Sequence, residues 1–505
     1  MKSHLRHGSA HVSGDITRRD LLGLAGWAIT AAAFPSVAAS ATPFDQQTNT
    51  QPANRSVMNT LGLYMSEAAQ RALPDEVTEE TKHHILDTFA AMVSGSNLLP
   101  GQRALEFARA YGGKEIATVA ASNIMCGPIE AALTNGVLAH ADETDDSHSP
   151  SQCHPGCAVI PAALAVGEQF SITGTHFVRA VTLGYDIGPR VTMTLGGQQF
   201  EAQSHWSTHS IAPLFGAAAA AGCAAGLSAQ QMRWMLGYTV QQSSGIAAWN
   251  RDTEHIQKAF TFGGMTARSG VTSALLVRFG WTGVDDLFSG KDNFFQAYNL
   301  HADPSGMIDK LGERYEVPRT NIKKWPVGSP IQGALDALEL LRKQHPFEAA
   351  EVRQMVLRLA TDEAAIVNNR EIPDICAQHM LAVALLDRTI TFASAHDAAR
   401  MKDTAVLRER AKIKLVPDDE LERLMPLRVA VLEVTLQDGT RLTRRVDNVR
   451  GTPENPMTRE EVVAKARDLM APVLGAQKAS NLISKIFDLE SVSDIRDLRA
   501  LLQTS

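Results

Sequence analysis

Cysteine is scarce in this chain. The five residues, Cys126, Cys153, Cys157, Cys223 and Cys376, are odd in number and thinly spread, which excludes a disulfide framework and gives an iron–sulfur cluster too few gathered thiolates. The Cys153–Cys157 spacing leaves open a bridge in an oxidising compartment. Excess positive charge is also missing. Lys and Arg number 48 against 55 Asp and Glu, for a formal net charge of -7. With no basic run and no aromatic-studded basic stripe, a nucleic-acid backbone is excluded as a partner. Beyond the N-terminal region no stretch reaches the roughly eighteen uninterrupted apolar residues of a bilayer-crossing helix, so the mature chain is expected to be soluble. No HExxH, paired CxxC or EF-hand spacing occurs, so no metal and no cofactor is expected.

What is present suits a large folded enzyme. Hydrophobic residues make up 44% and charged residues 20% of 505 positions, enough for a sizeable core. Thr17-Arg18-Arg19-Asp20-Leu21-Leu22, the apolar run Leu21–Phe34 and the small residues Ala39-Ser40-Ala41 predict a twin-arginine (Tat) signal peptide over residues 1–41. The expected location is therefore the periplasm or the cell exterior. A polar linker follows over residues 42–55. Residues 56–318 read as helical, with apolar residues recurring at three and four; Ile129–Ala139, Val159–Glu168, Phe215–Ala225 and Ala229–Ser243 are examples. After Pro318 the texture changes. Pro330–Lys343 reads as a helix, Glu351–Leu359 as a strand and Cys376–Arg388 as a helix. Val429–Leu436 and Leu442–Val446 flank an Asp438-Gly439 turn as a hairpin. Residues 319–449 are thus expected to form a small α/β domain. Residues 450–505 return to helix, starting at Thr458-Arg-Glu-Glu461. The fold class expected is mainly α, with a large helical domain and a smaller α/β lid inserted before the C-terminal helices.

One segment concentrates the chemistry. His140-Ala-Asp-Glu-Thr-Asp-Asp-Ser-His148, followed by Cys153-His154-Pro155-Gly156-Cys157, places Asp142, Glu143, Asp145, Asp146, His140, His148 and His154 within fifteen residues. Apolar helical runs flank it on both sides. Burying several ionisable groups is costly unless they are paired or used. A solvated acidic loop and a metal site are the competing readings. An acid–base site needs only a few histidines and carboxylates within hydrogen-bond reach.

The run Asn135-Gly-Val-Leu-Ala-His-Ala-Asp-Glu-Thr-Asp-Asp-Ser-His148, with His154-Pro-Gly and Val159-Ile-Pro-Ala-Ala-Leu-Ala, resembles the MmgE/PrpD family. That family includes 2-methylcitrate dehydratase, cis-aconitate decarboxylase and iminodisuccinate epimerase. The similarity continues through Gly184-Tyr-Asp-Ile-Gly-Pro-Arg-Val, Phe215-Gly-Ala-Ala-Ala-Ala-Ala and Lys258-Ala-Phe-Thr-Phe-Gly-Gly. It extends to Lys323-Lys-Trp-Pro and Gly451-Thr-Pro-Glu-Asn-Pro-Met-Thr. It implies a helical body and a lid with the active site between them, a small polycarboxylate substrate and a homodimer. The default reaction is a dehydratase-type elimination. Epimerisation of an imino- or amino-dicarboxylate and carboxylate binding without catalysis are the alternatives.

The resemblance also implies roles. His154 stands at the family's His-Pro position as base or acid. Glu143 and Ser147 fall where decarboxylase-like members place Asp and Thr. His209, or less readily His205, takes the place of a further catalytic histidine. Asp145 and Asp146 are expected to orient His140 or His154. Lys258 and Lys323 would grip substrate carboxylates, with Arg268 reinforcing Lys258 and with His140 and His379 as further contacts. Departures stand out. Decarboxylase-like members carry His or Cys soon after the Lys-aromatic-Pro motif, where this chain has Val327-Gly328-Ser329. Their lid tyrosine has no counterpart near Ala364–Val367, and His379 falls where many relatives have another tyrosine.

Overall fold

Alanine decides how the central helices meet. The Thr208–Ala224 helix, with Ala217–Ala221 wholly buried, packs against the Gly174–Leu195, Gly156–Phe170 and Met265–Arg278 helices. Side chains this small let helix axes approach closely, so burial of backbone and methyl surface replaces large interlocking side chains. The computed structural model describes residues 56–504. The signal peptide and linker expected over residues 1–55 lie outside them. No helix among the described residues is long and apolar enough to cross a membrane.

The chain is mainly α with a small sheet domain, as expected. Its buried apolar residues form two main cores. One runs from Met58 to Ile322 and resumes from Met457 to Leu502, so the C-terminal helices return to the helical body. The other holds residues from Trp325 to Val449. The second core lies about a four-stranded sheet in the order Ile413–Asp418, Val352–Ala360, Ala430–Leu436, Arg441–Val446. The first pair is parallel, with Met355 opposite Ile413, and the other pairs are antiparallel. The hairpin anticipated about Asp438-Gly439 is present, with Thr435 opposite Arg441 and Gly439 at φ 93°. Only glycine takes that backbone region readily. Thr458 and Glu461 form the expected capping box ahead of the Arg459–Leu474 helix.

The Ile413–Asp418 strand was not anticipated. Pro417 breaks its pattern, and the strand lies at the sheet edge, where a missing N–H is tolerated. Cys153 and Cys157 are both buried free thiols.

Candidate active site

The acidic segment forms the turn between the Pro128–Ala139 and Gly156–Phe170 helices. It is buried, not solvated: Asp142, Glu143, Asp145, Asp146, His140 and His154 are all below 8% exposure. Neighbouring carboxylates in this turn point in different directions, and that divides the work.

Asp145 faces the histidines. One carboxylate oxygen accepts from His140 Nδ1 at 2.9 Å, the other from His154 Nδ1 at 3.0 Å. Burial alone would push the Asp145 carboxyl up, but the two imidazoles outweigh it and hold the group well below the usual range. An ionised Asp145 takes a proton-bearing Nδ1 from each ring, leaving Nε2 as the free nitrogen. These three side chains are close enough to ligate one ion, their donor atoms lying within 4.8 Å of one another. The hydrogen bonds account for the grouping, because Asp145 already spends both oxygens on the rings.

Asp146 faces backward. It accepts from Tyr185 Oη at 2.5 Å and from Gly156 N at 3.0 Å, and pairs with His84 Nδ1 at 2.8 Å. It ties the turn to the helical body and does not orient His140 or His154.

Two lysines close the other side. Lys258 Nζ pairs with Glu143 Oε1. Lys323 Nζ donates to the Glu143 backbone carbonyl at 2.7 Å and lies 3.8 Å from Asp145. Burial would raise the Glu143 carboxyl; Lys258 and then Lys323 hold it well below its usual range. Burial, with Lys323 adding to it, drives His154 down to about 3 against the pull of Asp145. The His154 ring is therefore neutral at physiological pH, with Nδ1–H fixed on Asp145 and Nε2 able to take a proton.

Aromatic packing sets the rings. Phe262 stacks on His140 at 4.4 Å and on His209 at 4.5 Å between centroids, with His209 5.7 Å from His154. Phe262 lies in a π-helical turn, Phe260–Gly264. That turn presses on the Pro128–Ala139 helix through two glycines: a Cβ on Gly263 would lie 2.0 Å from the Gly136 carbonyl oxygen. Gly263→Ala is therefore expected to destabilise the protein by about 2–3 kcal/mol, the cost of overpacking against backbone. Denaturant unfolding checks this, and an unchanged midpoint would refute the close approach.

The turn and the elements packed on it bring together Glu143, His154, His140, His209, Lys258 and Lys323 in one cluster. Ser147 lies at the rim, half-buried and paired through its backbone with Asn321 at 3.0 and 2.7 Å. Together with Lys323 it also lines a cleft of about 280 Å³ between body and lid. Three expected contacts do not join this cluster. His205 is exposed, because it ends the Gly197–Ser204 helix in a left-handed conformation at φ 62°. Arg268 is exposed on the Met265–Arg278 helix. His379 is buried in the lid on the Ala377–Asp387 helix with neither ring nitrogen hydrogen-bonded. Burial, aided by Arg410 and Arg400, lowers it to about 4.

Several neighbours were not anticipated. His255 lies with its ring 5.2 Å from His140 and Nδ1 3.9 Å from Glu143. Burial and Lys258 drive it down to about 3. Trp249 stands edge-on to Phe262 at 4.7 Å. The lid adds His396 and Asp374, taken up below. The proximity of His255 to Lys258 in sequence was the only available signal, and three residues' separation carries no pattern.

A neutral imidazole oriented by a carboxylate, beside one buried and one half-buried ammonium group, is the equipment of an acid–base site for anionic molecules. This chain belongs to the MmgE/PrpD family: the N-terminal domain of that family matches residues 59–306 and the C-terminal domain residues 325–489. It is similar to a cis-aconitate decarboxylase-like protein of Aspergillus oryzae, 25% identical over 482 residues, covering 87% of this chain and 95% of the relative. It is also similar to the cis-aconitate decarboxylase of Aspergillus terreus (23% over 469 residues, 87% and 94% covered). The human cis-aconitate decarboxylase is 26% identical over 455 residues, with 85% and 91% covered.

Proposed function

We propose that this protein is a lyase acting on a small tricarboxylate. The observation that carries the reading is the His154–Asp145 pair set beside Lys258 and Lys323 in one largely buried cluster. Family membership and the decarboxylase relatives support it. In this reading His154 Nε2 takes a proton from a carbon next to a carboxylate. The lysines bear the charge that develops on that carboxylate. In a dehydration the electron pair left by that proton expels the β-hydroxyl, which leaves as water with a proton from His209; in a decarboxylation no proton is abstracted first, and the pair left on carbon as the carboxylate departs as carbon dioxide takes a proton from His209. Preorganised cations in a water-poor site act most strongly where charge appears, so stabilisation of the enolate-like state is the largest single contribution.

Proton NMR in D2O with citrate, 2-methylcitrate and cis-aconitate tests this. Expected is loss of water or carbon dioxide from at least one acid. Exchange of a carbon-bound proton for deuterium without net conversion would favour the epimerase alternative. Thermal stabilisation by these acids with neither exchange nor conversion would leave only a carboxylate-binding protein. Export through the Tat pathway belongs to the same proposal and rests on Arg18-Arg19 and the apolar run after them; Arg18→Lys with Arg19→Lys is expected to retain the protein in the cytoplasm. The homodimer is likewise proposed, from family resemblance.

A further inference from the structure

The lid touches the body through a short segment that the reaction does not use. Thr391 caps a one-turn helix, Phe392–Ala395, that leads into His396. Phe392 packs against the body's core, not the lid's. Its backbone N–H donates to the Asp468 carboxylate on the Arg459–Leu474 helix of the body at 2.8 Å. The His396 ring lies against Phe392 at 4.3 Å between centroids. Its Nδ1 donates to the Phe392 carbonyl at 2.8 Å, and its Nε2 lies 2.9 Å from Asp142 Oδ2. Nδ1–H is spent on the carbonyl, and Nε2, though not aligned for a hydrogen bond, lies at ion-pair distance from a carboxylate that favours the imidazolium form of His396.

Asp142 is not an ordinary partner. It adjoins Glu143, and it accepts the Thr144 backbone N–H at 3.0 Å and the Thr144 hydroxyl. The turn that presents Glu143 to Lys258 is therefore wrapped about the carboxylate that His396 grips. A second carboxylate, Asp374 of the lid, faces the same nitrogen at 3.9 Å. We propose that residues 391–396 are a latch closing the lid on the body, and that His396 is a positioning residue holding the Asp142–Thr144 turn, so that lid closure and placement of Glu143 are one event.

The charges give the latch a pH signature. The groups facing His396 are Asp142 from the body, Asp374 from the lid and the Phe392 carbonyl. Although burial would lower His396, Asp142 and then Asp374 raise it from 6.5 to about 9. A raised imidazole contributes fully below about 6.5 and is lost as pH rises through about 9. Burial lifts Asp374 to about 6, with Asp142 and Glu143 adding and His396 opposing. Asp374 is mostly ionised by neutral pH, so as pH rises from neutral through about 9 the latch group that changes most is His396.

Hydrogen exchange on the purified protein, read by mass spectrometry, tests this without any substrate. In His396→Gln, amides of residues 391–396 and 142–145 are expected to exchange at least about a hundredfold faster, the scale of stranding one buried charge against a local opening. Asp142→Asn is expected to do the same, and the double variant to exchange no faster than the singles. In the wild type, after correction for base-catalysed intrinsic rates, the same amides are expected to loosen as pH passes about 9. Exchange in His396→Gln within twofold of wild type, additive single effects, or a flat wild-type profile from pH 7 to 10 would each overturn the latch. The wild-type profile decides even if the variants fail to fold. A second readout rests on the lyase reading: His396→Gln should raise KM more than it lowers kcat. Absence of any turnover in wild type would count against that reading alone, since the exchange result is independent of it.

Discussion

His154→Gln is expected to lower kcat by at least about a hundredfold, the scale of losing a positioned acid–base group, while the protein stays folded. The ring keeps Nε2 free, and its Nδ1 is held by Asp145 at 3.0 Å. Gln offers an amide of similar reach, so Asp145 keeps a donor and Lys323 keeps its place beside it at 3.8 Å. What disappears is a nitrogen that can take a proton. The measurement is steady-state kinetics on the acid found to turn over, paired with a thermal melt. Partial recovery of rate with added imidazole would mark the loss as chemical. Wild-type kinetics in this variant would remove His154 from the mechanism.

Lys258→Met is expected to act on binding and stability together. Lys258 is the closest cation to the buried Glu143 carboxylate. Its removal leaves Lys323 4.0 Å from the carboxylate and His255, neutral at physiological pH, at 3.9 Å. Stranding a buried charge costs about 3–5 kcal/mol, and the remaining lysine keeps the expected loss near about 3 kcal/mol. The sign with pH follows from Glu143. Its carboxyl is held well below 4.5 in the folded protein, so the pair stabilises above that value and the contribution fades as pH falls. Wild type and variant should differ at pH 7 and converge in acid. Adding Glu143→Gln to Lys258→Met should recover most of the stability by removing the stranded charge, but none of the affinity for a carboxylate ligand. Unfolding by denaturant and ligand titration measure the two. Unchanged ligand binding would leave the anionic anchor elsewhere.

The individual predictions divide along one line. His154, Glu143, Lys258 and Lys323 could be singled out because each carries a residue type suited to acid–base or carboxylate chemistry, within a motif that sets its place along the chain. Asp145 and Asp146 could not be told apart that way. They are adjacent and chemically identical, yet one accepts from two imidazoles and the other from Tyr185 and a backbone N–H. The direction of a side chain in an irregular turn depends on what packs on either side. Arg268 and His205 failed for the same reason. The first occupies the outward face of its helix, and the second sits past a helix end in a left-handed conformation.

The sequence by itself determined the helical body, the hairpin of the lid, the capping box at Thr458 and the segment where ionisable groups crowd. These rest on periodicity, turn chemistry and residue type, which are local properties. Only the tertiary structure decided which rings share a carboxylate, that Phe262 wedges between His140 and His209, and that His396 crosses from the lid to Asp142. Those contacts join residues up to more than two hundred positions apart. Their energies come from burial and pairing in three dimensions, for which spacing along the chain carries no information.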